Sequence, residues 1–191
     1  MLREAAESCV RCELHETGMQ TVFGEGRAGA WLLAVGEQPG DKEDEEGRPF
    51  VGPAGKVLDR ALAELGVSRN ELYLTNAVKH FRWEPRGKRR IHKAPTTEHV
   101  RACAPWLDAE VEAVRPRALL CLGAVAAKAV LGAKFKLLAT RGQELTSRYG
   151  VPTYATVHPA SVLRSDDREA AYRAFVDDLR IVLTHRPHDD R

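Results

Sequence analysis

Residues 31–40 read WLLAVGEQPG: an unbroken apolar run that passes directly into a polar turn closed by glycines. The run is about one strand long and lacks the alternation of a strand with one wet face. It predicts a strand over residues 31–35, buried on both sides, whose carboxyl end delivers Gly36-Glu37-Gln38-Pro39-Gly40 to a rim. Three runs of the same kind follow, at residues 72–75 (LYLT), 118–122 (ALLCL) and 153–157 (TYATV). Helical patterns lie between them. Val57, Leu58, Ala61, Leu62 and Leu65 form an apolar stripe ended by Gly66. A second helix is expected from about Thr97 to Val114, kinked or restarted at Pro105. A third spans residues 124–131 before Gly132, and Ala171, Phe175, Leu179 and Val182 mark a C-terminal amphipathic helix.

Strand–helix alternation of this kind predicts an α/β fold: one domain over residues 1–191, with a central four-stranded parallel sheet flanked by helices. Residues 133–150 are a hairpin or an irregular insertion, and residues 185–191 are expected to be a flexible tail. In open parallel sheets, ligands sit beyond the carboxyl ends of the strands. The GEQPG turn, Asn76 and His158-Pro159-Ala160-Ser161 all emerge there, so a pocket is expected where they converge.

A length of 191 residues with 43% hydrophobic content is enough for one substantial core. No apolar run approaches a membrane span and the first residues carry no signal-like segment, so a cytoplasmic monomer with no membrane partner is expected. GEQPG lacks the GxGxxG spacing, which argues against a nucleotide cofactor. The net charge of +2 hides a segregation of sign: residues 41–46 (DKEDEE) carry five acids, and residues 79–93 (KHFRWEPRGKRRIHK) carry seven Lys or Arg against one Glu. Phe81 and Trp83 interleave with those cations, a mixture suited to a polyanion whose bases can stack.

Cys9-x-x-Cys12 is a metal-type pair, with Cys103 in a polar stretch able to join it. Cys121, inside LLCLG, reads as a core residue. His15, His80 and His99 are all candidates for a fourth ligand, and the spacing does not separate zinc from an iron–sulfur cluster.

Four motifs, taken together and in order, carry a resemblance: the CxxC, GEQPGDKEDEEGRPFVGPAG, YLTNAVK and HPAS. The chain resembles the uracil-DNA glycosylase superfamily over nearly its whole length, most closely the iron–sulfur family 4 enzymes. KRRIH at residues 88–92, and Gln38 where family 4 usually has Ala, resemble the X-type branch (UdgX), whose members become covalently trapped on uracil-containing DNA. The resemblance implies a [4Fe-4S] cluster held by an N-terminal segment, residues 1–30, together with later ligands. Cys9, Cys12, His80 and Cys103 stand at the ligand positions, with His80 where family 4 carries Cys.

The resemblance also implies roles around an extruded uracil. Phe50 stacks on the base, Asn76 reads its Watson–Crick edge, and the backbone near Glu37 and Gln38 completes the pocket. His158 donates to O2 as charge develops there. His92, on the basic loop of residues 80–95, captures the sugar cation with Glu37 as its orienting partner, while Asp41 and Glu43 support the cation electrostatically. Lys88, Arg89 and Arg90 clamp flanking phosphates, and Val162, Leu163 and Arg164 wedge against the strand. The partner implied is uracil-containing DNA, preferably single-stranded. Two alternatives remain: a turnover glycosylase of the family 4 type that releases abasic DNA, and a non-catalytic iron–sulfur protein that binds DNA or senses redox state.

Overall fold

The computed structural model describes residues 2–187. Its centre is a five-stranded sheet in the order β2-β1-β5-β7-β6. Strands β1 (Leu32–Gly36), β2 (Leu72–Asn76), β5 (Ala118–Leu122) and β7 (Pro152–Thr156) are the four expected runs, displaced by no more than a residue, and all pair in parallel. The fifth strand, β6 (Leu145–Thr146), lies in the ambiguous segment and pairs antiparallel with β7. The four-stranded expectation is therefore short by one edge strand, too brief at two residues to leave a periodic signal.

The parallel strands are buried on both faces, as their unbroken apolar runs require. Leu32, Ala34, Leu72 and Leu74 face one layer, formed by α4 (Pro53–Glu64), α8 (Pro159–Arg164) and α9 (Arg168–Val182), where Leu58, Leu62, Phe175 and Leu179 pack. Leu33, Val35, Leu119 and Cys121 face the other, formed by α5 (Thr97–Val114) and α6 (Ala124–Leu131), where Leu107, Val111 and Ala127 pack. Cys121 is thus the core residue the sequence indicates.

Helix α5 runs unbroken through Pro105, which corrects the expected kink or restart. Pro105 faces solvent, and Arg11 Nε donates to the Ala102 carbonyl one turn before it at 2.9 Å, so a charged side chain satisfies backbone in the turn the proline disturbs. Near the N-terminus lie α1 (Leu2–Glu7) and α2 (Leu14–Thr17); α3 (Asp41–Glu46) follows the GEQPG turn, and α7 (Leu137–Thr140) precedes β6. The basic segment is also ordered differently from a loop: β3 (Trp83–Arg86) and β4 (Arg89–His92) form a separate antiparallel hairpin turned at Gly87.

The tail expected from residue 185 begins later. Leu183–His185 forms a 3-10 turn, Tyr154 Oη lies 2.7 Å from His185 Nε2, and Arg186 pairs with Glu71 at 2.8 Å. Residues 188–191 lie outside the described residues. Among the described residues no helix is long and apolar enough to cross a membrane. Since β2 and β5 flank β1 on opposite sides, the strand order reverses beside β1, which is where an open sheet leaves a crevice.

Candidate functional site

Five segments meet over the carboxyl ends of β1, β2 and β7 and enclose a cavity of about 460 Å³. Its wall contains Glu37, Gln38, Asp41 and Glu43 after β1, Phe50 beyond α3, and Asn76 at the end of β2. His92 of β4, together with His158, Leu163 and Arg164 after β7, closes it. Residues as far apart as 37 and 164 thus converge on one space, as the strand-end rule anticipates.

The floor is set by a close approach. A Cβ on Gly36 would collide with Asn76 Oδ1 and Phe50 Cζ, so only glycine lets those two side chains meet over β1. Phe50 sits at φ 55°, a conformation costly for a residue with a Cβ. Arg69 holds it there: Nη1 donates to the Phe50 carbonyl at 3.0 Å, Nη2 to the Pro49 carbonyl at 2.6 Å, and the guanidinium pairs with Asp59 at 2.9 Å. The Phe50 ring lies 6.3 Å from the His158 ring and nearly parallel to it, at 24°.

Asn76 is buried at 3% exposure, and its side-chain amide makes no hydrogen bond within the protein among the described residues. Its backbone carbonyl is held by Lys79 Nζ at 2.8 Å. His158 caps α8, with Nδ1 accepting the Ala160 amide at 3.2 Å. That bond requires an unprotonated Nδ1 and leaves the ring's one proton on Nε2. Burial lowers the His158 pKa to about 4; Glu37 opposes the shift, while Arg164 and His92 add to it. The group is a neutral donor at ordinary pH.

The hairpin brings His92 to the cavity. Phe81 lies beneath the imidazole at 6.0 Å, and His92 Nε2 stands 3.3 Å from Glu37 Oε1. The alignment is not that of a hydrogen bond, and Glu37 Oε1 is buried without one. Gln38 makes the anchor: its Nε2 donates to the Arg82 and Lys93 carbonyls, each at 3.1 Å, and its Oε1 accepts the Arg82 amide at 3.2 Å. Gln38 still lines the cavity, where its backbone is expected to complete the base pocket. Its side chain is used by the two roots of the hairpin.

Several other expectations change for physical reasons. Arg90, expected to clamp phosphate, pairs instead with Asp41 at 2.7 Å and with the fully buried Asp44 at 2.5 Å, and it lies over Phe81. A buried carboxylate demands a fixed cation, and Arg90 supplies it. Asp41 is thereby committed as well. Glu43 accepts the amides of Gly40 at 3.1 Å and Gly52 at 2.8 Å, so it braces two turns rather than standing free as a charge. Phe81, expected to stack on bases, is 1% exposed. Val162, expected in the wedge, belongs to the core, while Leu163 lines the cavity. Arg86, Lys88 and Arg89 are exposed at the hairpin tip and form no ion pair among the described residues.

The three cysteines among the proposed metal ligands lie where the N-terminal segment packs on α5, while His80 lies against Thr21. Cys12 and Cys103 adjoin a small cluster of Leu14 and Val78, and the Lys79 amide points at Cys103 Sγ at 3.5 Å. Donation from the Cys103 thiol lowers the Cys12 pKa to about 6, while that same contact and then burial push Cys103 up. Trp106 Nε1 donates to Cys9 Sγ at 3.2 Å. His80 bonds Thr21 through Nε2 at 3.0 Å, and its Nδ1 is buried with no partner. Among the described residues no three His, Cys, Asp or Glu side chains are placed to hold a single metal ion. Three thiols and one orphaned imidazole nitrogen are, in kind, the donors of a cluster, which spreads its ligands over several irons.

Sequence reasoning missed two groups here. Lys79 reads as part of the basic block, yet it is 0% exposed and pairs with Glu110 at 2.6 Å. The available signal was Glu110 itself, which falls between Leu107 and Val114 on the apolar stripe of α5. Arg69, in a turn, left no signal.

Comparison with known proteins agrees with this geometry. A type-4 uracil-DNA glycosylase of Pyrobaculum aerophilum is 37% identical over 174 residues, covering 85% of this chain and 83% of that protein. One of Thermotoga maritima is 35% identical over 180 residues, covering 94% and 90%. One of Archaeoglobus fulgidus is 38% identical over 163 residues, covering 82% and 78%. The family described as the uracil DNA glycosylase superfamily matches residues 23–180, which span the whole sheet and every wall of the cavity, and the chain belongs to that superfamily.

Proposed function

We propose that this protein is a uracil-DNA glycosylase: it takes uracil from a DNA strand into the rim cavity and breaks the bond between uracil N1 and the sugar C1′. The observation that carries the reading is one cavity walled by an aromatic ring, an uncommitted amide and a neutral imidazole donor: Phe50, Asn76 and His158. The type-4 relatives support it by name.

Extruding a base costs a few kcal/mol from a duplex and less from a single strand, which makes single-stranded DNA the favoured partner. Stacking on Phe50 and phosphate contacts from Lys88, Arg89 and Arg164 offset that cost. The Asn76 amide gives a donor to O4 and an acceptor to N3–H. Cytosine presents the opposite pattern, so it would leave two polar groups unpaired. When the N1–C1′ bond breaks, its electron pair leaves with uracil and the sugar becomes an oxocarbenium ion. His158 Nε2–H donates to O2 as the negative charge appears, a contribution of about 3 kcal/mol.

Two fates of the cation follow. Capture by water releases abasic DNA, and needs nothing beyond the activity for which the relatives are named. Capture by His92 is favoured by one specific observation: the ring stands in the same cavity wall, 3.3 Å from the orphaned Glu37 Oε1. There, once uracil has left as its anion with the N1–C1′ electron pair, an imidazole lone pair would form the new bond to C1′ and the other ring nitrogen would pass its proton to solvent. A denaturing gel with a uracil oligonucleotide separates the two. A detergent-stable adduct in step with released uracil supports capture; many uracils freed per protein with no adduct establishes turnover; no uracil released sinks both.

The reading includes a [4Fe-4S] cluster on Cys9, Cys12, His80 and Cys103, and no step of the reaction passes through it. The orphaned His80 Nδ1 supports its place among the ligands. Iron and acid-labile sulfide in anaerobically purified protein, lost in Cys12→Ala, test it. Zinc in their place refutes it.

A further inference from the structure

Behind Asn76, on the opposite side from the cavity, lies a fully buried charge pair that the chemistry above does not use. Lys79 Nζ makes three bonds: to Glu110 Oε2 at 2.6 Å, Thr75 Oγ1 at 2.7 Å and the Asn76 carbonyl at 2.8 Å. An ammonium has three protons, so each is spent. Glu110 is equally saturated, accepting from Lys79, Thr75, the Gly24 amide at 2.9 Å and Tyr73 Oη at 3.2 Å. Both side chains are 0% exposed.

Fold stability alone gives a weak reason for this arrangement. Well-packed apolar residues commonly replace a buried ion pair at no loss, because desolvation offsets the attraction. What an apolar pair could not do is hold the Asn76 carbonyl. Strand β2 ends at Asn76, so the ladder that fixes its other carbonyls stops there. The next two amides, of Ala77 and Val78, turn back to the carbonyls of Gly36 at 2.9 Å and Glu37 at 3.0 Å. Asn76 is therefore pinned from both sides, by β1 through the turn and by Lys79 from below, where its amide must meet a base edge.

We propose that Lys79, held by Glu110, is a positioning residue for base selection: it fixes the Asn76 backbone so that the side-chain amide faces uracil in one orientation. The inference rests on Asn76 reading the base, and the experiment separates the two claims. The variant is Lys79→Met with Glu110→Gln, which removes both charges, keeps side-chain volume and leaves an oxygen for the Gly24 amide. Single-turnover excision from a uracil oligonucleotide should fall by about 100-fold, the effect of a displacement near 1 Å. Affinity for the matched thymine oligonucleotide, which a general structural defect would lower, should not change.

The deciding measurement repeats the double variant in an Asn76→Ala background. Because Lys79 acts through Asn76, it should then cost nothing further. Losses that multiply would overturn the inference, as would a folded double variant with unaltered excision. If Asn76→Ala itself excises uracil at the full rate, the base-reading role of Asn76 fails instead. Should the double variant not fold, Glu110→Gln alone carries the same comparison, with an expected loss of about 10-fold; an unaltered rate in that variant overturns the inference.

Discussion

Replacing Gln38 with Ala is expected to loosen the hairpin that carries His92, and the size of the effect follows from its contacts. Three hydrogen bonds tie the side chain to the hairpin roots at Arg82 and Lys93. At a net 0.5–1.5 kcal/mol each, their loss amounts to roughly 1.5–4.5 kcal/mol. The Arg82 carbonyl keeps a second partner, the Lys93 amide at 3.0 Å, so the cost concentrates on the Arg82 amide and the Lys93 carbonyl. With 1.4 kcal/mol to each factor of ten, opening of the hairpin should rise on the order of 100-fold. Amide hydrogen exchange at Arg82 reads this directly, and tryptic cleavage after Arg89 should rise in parallel. Gln38→Met, which restores bulk without polar atoms, should behave like Ala. The two core clusters do not include Gln38, so protection in β1 and β5 should hold. Unchanged protection at Arg82 in the alanine variant, or rescue by methionine, would show that packing and not the amide fixes the hairpin.

The His158 pKa, lowered from 6.5 to about 4, predicts a pH dependence with a definite sign. The folded protein binds fewer protons here than the unfolded chain, so stability is full above pH 6.5 and declines as pH falls toward 4; His158→Asn should flatten that part of a thermal-denaturation series. Lys88→Ala and Arg89→Ala should each weaken DNA binding and reduce its salt slope by about 1, whereas Arg90→Ala should leave the slope unchanged and lower the melting temperature. Glu43→Ala removes two charge-assisted bonds and should cost about 3–6 kcal/mol in denaturant unfolding, with Glu43→Gln recovering part of it.

Much of the fold was legible because the four parallel strands are buried on both faces and so appear as unbroken apolar runs. The rim followed from their carboxyl ends, which is why Glu37, Asn76 and His158 were placed correctly without coordinates. Partnership was not legible. Arg89 and Arg90 are adjacent residues of the same charge in β4, yet Arg90 meets a buried Asp44 and Arg89 meets solvent. The strand register of the hairpin decides this, since alternate residues turn to opposite faces, and a run of cations conceals that alternation. The work of the Gln38 side chain was not legible either, because its partners at Arg82 and Lys93 lie more than forty residues away in sequence. Lys79 shows the converse, a residue taken for surface because its neighbours in sequence are charged.

Residues 83–92 contribute nothing to either hydrophobic layer. They hang from the domain by Gln38 at the root, by the Trp83 Nε1 bond to the Thr17 carbonyl at 3.0 Å and by Arg90 along the shaft. The tip of such an arm can be lengthened or rewritten while the body beneath it goes on folding, provided Arg90 stays to meet Asp44. What the arm presents to the cavity can therefore change while one sheet and one cavity beneath it stay the same.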